Sequence, residues 1–255
     1  MSALGIGARE GIGRTLDLLL VAAVLVALWQ AVYAMSGGVA ITAPWETVRF
    51  LGTLFASAVF WGHVEATGLA LAYSLVISSL AGVSLGLLLG AHRFSGDVAE
   101  PLLTALYTIP KVTLYPLVLL VFGLGISAKV AFGVMHGIIP VVLFTMGATR
   151  AINPVLLKTA RVLALDPLAT AASILVPAVM PEIVTGLRIG FSLTLLGVLI
   201  GEMFASQRGL GFLIVNGVNT QDVRTTTAVI LFLVLFAIAV NGALLWIDHR
   251  FHQRR

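Results

Sequence analysis

Cysteine is absent from all 255 residues, and only 10% of the chain is Asp, Glu, Lys or Arg. The first absence excludes a disulfide scaffold and thiol chemistry. The second excludes an ordinary soluble domain, which carries about 25% charged residues, so the surroundings of this chain are largely lipid. Lysine is scarcest of all: Lys111, Lys129 and Lys158 follow Pro110, Ala128 and Leu157. None can complete the Gly-Lys-Ser/Thr of a phosphate-binding Walker loop, so the chain does not hydrolyse ATP alone. The pairs Gly5/Gly7, Gly11/Gly13, Gly123/Gly125 and Gly209/Gly211 follow no strand and open no βαβ unit, which leaves them as turns or close contacts. No tandem repeat, low-complexity tract or appended soluble domain is expected.

What is present is apolar: 59% hydrophobic residues and a mean hydropathy of +1.07. Runs of about 18 or more apolar residues predict six transmembrane helices, near Leu16–Met35, Leu69–Leu89, Leu102–Phe122, Val130–Met146, Ile183–Met203 and Thr226–Ile247. Pro110, Pro116 and Pro140 interrupt the third and fourth, so those two face protein or a solute path. Placing both termini inside puts Arg9, Arg14, Arg93, Arg150, Lys158, Arg161, Arg250, Arg254 and Arg255 in the cytoplasm. Only Arg49, Lys129, Arg208 and Arg224 then fall outside, while Lys111 and Arg188 lie ambiguously near span ends. That bias follows the positive-inside rule, so the pI near 9.9 reports topology rather than nucleic acid. The first run is too long for a cleaved leader. Pro44–Trp61 reads either as an external amphipathic segment anchored by Trp45 and Trp61 or as an ordinary loop. Three regions follow: 1–62 with the first span and the external segment, 63–250 as the transmembrane domain, and 251–255 as a basic cytoplasmic tail.

The second span carries Ala70, Ser74, Ser78, Gly82, Gly86 and Gly90, a small residue at every fourth position. Such a stripe admits another helix backbone, from this chain or from another subunit. Ionisable residues near spans are Asp17, Lys111, His136, Glu182, Arg188, Glu202 and Asp248, and most can reach an interface. His136 has no second ligand at metal spacing. Glu202 follows Gly201 at the outer end of the fifth span, placed to touch a gate or a solute. Gly209-Leu210-Gly211 opens the short apolar stretch Phe212–Val215, either a re-entrant helix at the outer mouth or a packed loop. No Ser/His, paired-carboxylate or metal constellation lies at one depth, which argues against an intramembrane enzyme. A buried relay or inverted repeats would mark an ion-coupled carrier, and neither is evident. A non-transporting assembly protein remains a further alternative.

The polar stretch Asn153–Glu182 lies between the fourth and fifth spans. Asn153-Pro154 and Asp166-Pro167 each set a capping side chain before a proline, predicting two short helices. In the first, Leu156, Ala160 and Leu163 share one face while Lys158 and Arg161 lie on another.

This stretch resembles the cytoplasmic signature of ABC-importer permeases, E-A-A-x3-G-x9-I-x-L-P. Lys158, Thr159 and Ala160 fall on E-A-A, Ala164 on the glycine, and Ile174, Val176 and Pro177 on I-x-L-P; Lys158, Thr159, Ala164 and Val176 depart from the pattern. Pro181–Gly190, Gly209–Phe212, Pro101-Leu102-Leu103 and Phe122–Gly125 are similar to segments of the nitrate/sulfonate/taurine-type permeases, although an arginine common at the start of the second span is Ala70 here. The resemblance runs from about Pro44 to Arg250. It implies an all-α integral membrane protein of the type I importer fold, in a bacterial inner membrane, working as a homodimer. It also implies two ATP-binding cassette ATPases that hold the ATP and Mg, a coupling helix at Leu163, Ala164, Leu165, Asp166, Pro167 and Leu168, and an extracytoplasmic solute-binding protein. The signature position Ala164 raises a conformational question, since a glycine there would admit φ > 0 and an alanine would be strained.

Overall fold

A computed structural model describes residues 3–252. Arg254 and Arg255 of the expected basic tail lie outside the described residues. Every described element is helical: α1 (Ala3–Ser36), α2 (Pro44–Phe55), α3 (Ala58–Ala91), α4 (Arg93–Thr108), α5 (Tyr115–Phe122), α6 (Ile126–Arg150), α7 (Pro154–Val162), α8 (Pro167–Thr170), α9 (Val176–Ala205), α10 (Leu210–Asn219) and α11 (Val223–His252). Five helices are long and apolar enough to cross a membrane, and α4 with α5 makes a sixth candidate bent by 85°.

That bend falls within the third span expected at Leu102–Phe122, at one of the prolines expected to interrupt it. Pro110 cannot donate to the helical ladder and drives the residue before it extended; Ile109 stands at φ −63° and ψ 132°. Pro116 sits in the first turn of α5, where no intrahelical donor is needed, and Pro140 is absorbed inside the uninterrupted α6. The fifth span is also longer than expected. Asp166-Pro167 does start a helix, but α8 runs through a π turn (Ala171–Leu175) directly into α9, giving one 38-residue helix over Pro167–Phe204. A π turn pairs each amide one residue further back, which carries the ladder past the missing amide of Pro177.

The core is three helices deep, with α6 between α3 and α9. A Cβ on Gly82 would lie 2.7 Å from Cγ1 of Val141, and one on Gly190 would lie 2.9 Å from Cγ2 of the same residue. Gly86 and Gly90 face Thr145 and Thr149 at 2.5 and 2.6 Å in the same sense. The stripe on α3 therefore packs within the chain, its bare backbone admitting the side chains of α6. Ser74, buried in the same stripe, donates to the Ala70 carbonyl at 2.7 Å.

From Leu16 to Ser36 helix α1 is apolar enough to span and is exposed. Its Trp29 donates to the Thr42 carbonyl at 2.9 Å, just before α2. Segment Pro44–Trp61 resolves into the helix α2, which buries Thr47 and Leu51 and leaves Trp45 exposed. Helix α11 closes the far side of α9, where Phe191 and Phe236 meet.

The tight α3–α6 approach makes a specific demand. Gly86→Ala should destabilise by about 1–3 kcal/mol through overpacking, whereas Gly147→Ala, with nothing within 4 Å of its added carbon, should not. Thermal unfolding in detergent reads the difference, and equal midpoints would reject the close-packing account.

Candidate functional site: a capped turn and a buried carboxylate clamp

Two polar assemblies lie at opposite ends of the long α8–α9 helix. The first is the turn between α7 and α8. Asn153 caps α7 by accepting from the Val155 amide at 2.9 Å, and Asp166 caps α8 by accepting from the Ala169 amide at 2.6 Å. Between them the chain reverses through a Schellman motif: the Leu165 amide bonds the Ala160 carbonyl and the Ala164 amide bonds the Arg161 carbonyl, both at 3.1 Å. The motif requires a left-handed residue, and Ala164 takes that role at φ 48°. The signature glycine position is thus a left-handed one, occupied here by a strained alanine.

The face shared by Leu156, Ala160 and Leu163 is only partly buried. Ala160 is buried and Leu157 half-buried, while Leu156 and Leu163 are exposed. Leu157 lines a cavity of about 550 Å³ with Arg93, Thr149 and Arg150, at the start of α4 and the end of α6. Arg150 in turn pairs with Asp97 and, at 2.6 Å, with Glu100. Apolar side chains are left pointing outward at the turn: Val162 is 85% exposed, Leu163 61% and Leu168 81%, with Lys158 and Arg161 exposed beside them. Pro177 lies further along, in the first turn of α9.

The second assembly is built on Glu202, which is fully buried near the end of α9. Its carboxylate accepts from the Thr67 hydroxyl of α3 at 2.9 and 3.0 Å, from the Gly211 amide at 3.0 Å, and pairs with Lys129 of α6 at 3.5 Å. Thr67 also accepts from the Leu210 amide at 2.8 Å, and His63 Nδ1 accepts from the Gly209 amide at 3.1 Å. Lys129 donates to the Arg208 carbonyl at 2.5 Å. A Cβ on Gly209 would collide with the Glu202 carboxylate, and its φ of 125° already favours glycine. Phe212 stacks on His63 with ring centroids 5.8 Å apart.

Glu202, Gly209, Gly211 and Phe212 are therefore brought together, and Gly209-Leu210-Gly211 leads into the short helix α10. Lys129, Thr67 and His63 complete the cluster and were not singled out from sequence. A buried carboxylate needs a cation, and Lys129 was one of few available on that side, so charge balance was the usable signal. A cavity of about 690 Å³ opens beside the clamp, lined by Lys129, Phe204, Gln207 and Arg208. Among the described residues, no three His, Cys, Asp or Glu side chains are grouped to hold a metal.

Residues 78–254 match the family model described as "Binding-protein-dependent transport system inner membrane component". The chain belongs to this family. It is the permease subunit of an ABC importer and a multi-pass membrane protein. It is 30% identical over 240 residues to a "Probable ABC transporter permease protein" of Haemophilus influenzae, covering 93% of this chain and 97% of that one. It is 26% identical over 237 residues to the nitrate import permease NrtB of Leptolyngbya laminosa, covering 89% and 84% respectively. In fold it is similar to a chain in inward-facing structures of the MetNI methionine ABC transporter, with a TM-score of 0.59, 17% identity, and 75% of this chain and 96% of that chain covered.

Ala164→Gly should stabilise the permease by about 0.5–1 kcal/mol, because relief of left-handed strain outweighs the added chain entropy. A lowered unfolding temperature would show that the turn is not strained. At the clamp, Glu202→Ala strands a buried ammonium and should cost about 3–5 kcal/mol, with Lys129→Met in that background restoring part of the loss. Thermal unfolding of both variants tests the pair, and a double variant no better than the single would remove Lys129 as the essential partner.

Proposed function

We propose that this permease imports a small anion, such as nitrate, a sulfonate, taurine or a related organic acid, and that its energy enters through the α7–α8 turn. The observation that carries the second half is the exposed apolar tip of Val162, Leu163 and Leu168 on a doubly capped turn. An apolar patch rimmed by Lys158 and Arg161, on a short polar connection, fits a groove on a partner protein. The partner is an ATP-binding cassette ATPase, two copies serving a permease homodimer and holding the ATP and Mg; this chain binds no cofactor of its own. Ala164 and Leu165 set the shape of the turn, while Asp166 and Pro167 fix its exit into the helix that continues through Pro177.

Both termini face the cytoplasm, so the turn is inside and the Glu202 clamp outside. There the clamp positions α10 as part of an outer gate, within reach of an extracytoplasmic solute-binding protein. Residues 63–250 form the transmembrane domain, and 1–62 add a lipid-facing span and the external helix α2. The nitrate import relative and the resemblance to sulfonate and taurine permeases support the anion.

Charge reversal of the pair, Lys158→Glu with Arg161→Glu, should weaken copurification with the ATPase about tenfold, at roughly 0.7 kcal/mol per contact. It should also lower ATP-driven uptake in proteoliposomes. Wild-type coupling in that double variant would remove both residues from the docking surface, and uptake that survives deletion of the ATPase would reject the importer mechanism.

A further inference from the structure

The break between α4 and α5 lies level with the middle of α6. Helices α5 and α6 form an antiparallel hairpin across Gly123–Gly125, with Tyr115 edge-on to Phe132 at 5.0 Å and Phe132 against His136 at 4.8 Å. Lys111 lies one turn back from Tyr115 along the chain, and His136 lies one turn on from Phe132, within electrostatic reach of Lys111. His136 is ten residues into α6 (126 to 136), about 15 Å from that end at 1.5 Å per residue. That is about half of a hydrocarbon core roughly 30 Å thick, whichever way the chain is oriented.

Lys111 is poorly neutralised at this depth. Its ammonium donates to the Tyr107 carbonyl at 3.1 Å and stands 5.3 Å from the centre of the Tyr107 ring. Among the described residues no carboxylate pairs with it. Around it Tyr107, Thr108, Ile109, Pro110, Val112 and Thr113 are all exposed. A break in the helical backbone at mid-depth is tolerated only inside protein or against a water-filled path. A charged side chain there carries the same requirement. The elbow is exposed on its own chain, and an aqueous path is one of the two surroundings that meet this requirement.

We propose that Lys111, at the elbow between α4 and α5, is the charged contact for the anionic solute at mid-depth of the translocation path, with Tyr107 and Thr108 beside it. This rests on the reading of the chain as an importer permease for a small anion and names the residue that would meet that anion. Lys129 cannot take this role, because Glu202 and the Arg208 carbonyl already occupy it.

The absence of cysteine makes a direct test possible. Thr108→Cys is introduced in the full complex with ATPases that lack accessible thiols, reconstituted in proteoliposomes. Labelling of the permease is followed by mass, using methanethiosulfonates that carry a sulfonate or a trimethylammonium group. The sulfonate reagent should react about tenfold faster relative to the cationic one, the scale on which a focused field concentrates a counter-ion. Lys111→Arg should keep that ratio and Lys111→Met should bring it close to one. Millimolar taurine or butanesulfonate should slow labelling only where the cation is retained.

No labelling from either side, in the nucleotide-free or the ATP-and-vanadate state, would overturn the proposal by placing the elbow against lipid or protein. A ratio unchanged by Lys111→Met would overturn it by leaving a path without an anion contact. A separate failure, labelling with the expected ratio but no ATP-driven uptake and no response to nucleotide, would instead count against the importer reading.

Discussion

Val141 is held between two glycines: one of its methyl groups sits against Gly82 of α3 and the other against Gly190 of α9. The rest of the permease depends on that arrangement. In lipid, no difference in hydrophobicity drives helices together, so association comes from van der Waals contact and a few polar bonds. Contact of this quality needs bare backbone opposite a branched side chain. The arrangement repeats where Gly86 meets Thr145 and Gly90 meets Thr149, so α3, α6 and α9 form one packed body. Helices α4, α5, α10 and α11 are positioned by where they touch that body, while α1 meets α2.

Polar groups then fasten the ends that packing leaves loose. At one end a single carboxylate, Glu202, gathers donors from α3 and α6 and from the turn that opens α10. At the other, Arg150 joins α6 to α4 through Asp97 and Glu100, and Asp248 of α11 accepts from Thr185 of α9 at 3.0 Å. The buried pair is strongest as a fixer of geometry, since its desolvation offsets much of its attraction. What it secures is where the turn that opens α10 stands relative to three helices.

Much of this was legible in the chain, and the exceptions have physical causes. Apolar runs locate spans because lipid is the solvent, and the capping pairs Asn153-Pro154 and Asp166-Pro167 mark helix starts because both signals are local. Proline is less transparent. Pro110 makes an elbow, Pro116 begins a helix and Pro140 sits inside one, and the difference lies in packing that no single residue type encodes. At α7, Leu156 and Leu157 are equally apolar in sequence, and only packing makes Leu157 the half-buried one. Partners of Glu202 escaped because Lys129 and Thr67 are 73 and 135 residues away in sequence. Ala164 is the opposite case: the question it raised was about one dihedral angle, and a φ of 48° answers it.

The uninterrupted helix from Pro167 to Phe204 has a mechanical consequence. Its 38 residues make a rod about 57 Å long at 1.5 Å per residue, with the α7–α8 turn at one end and the Glu202 clamp at the other. A tilt of about 5° about the end at the turn displaces the end at the clamp by about 5 Å over that length. A small rotation at the turn is thus magnified into a movement the size of a small solute. The π turn at Ala171–Leu175 is the joint where such a rod would first give, and its place near the turn leaves nearly all of the lever arm stiff.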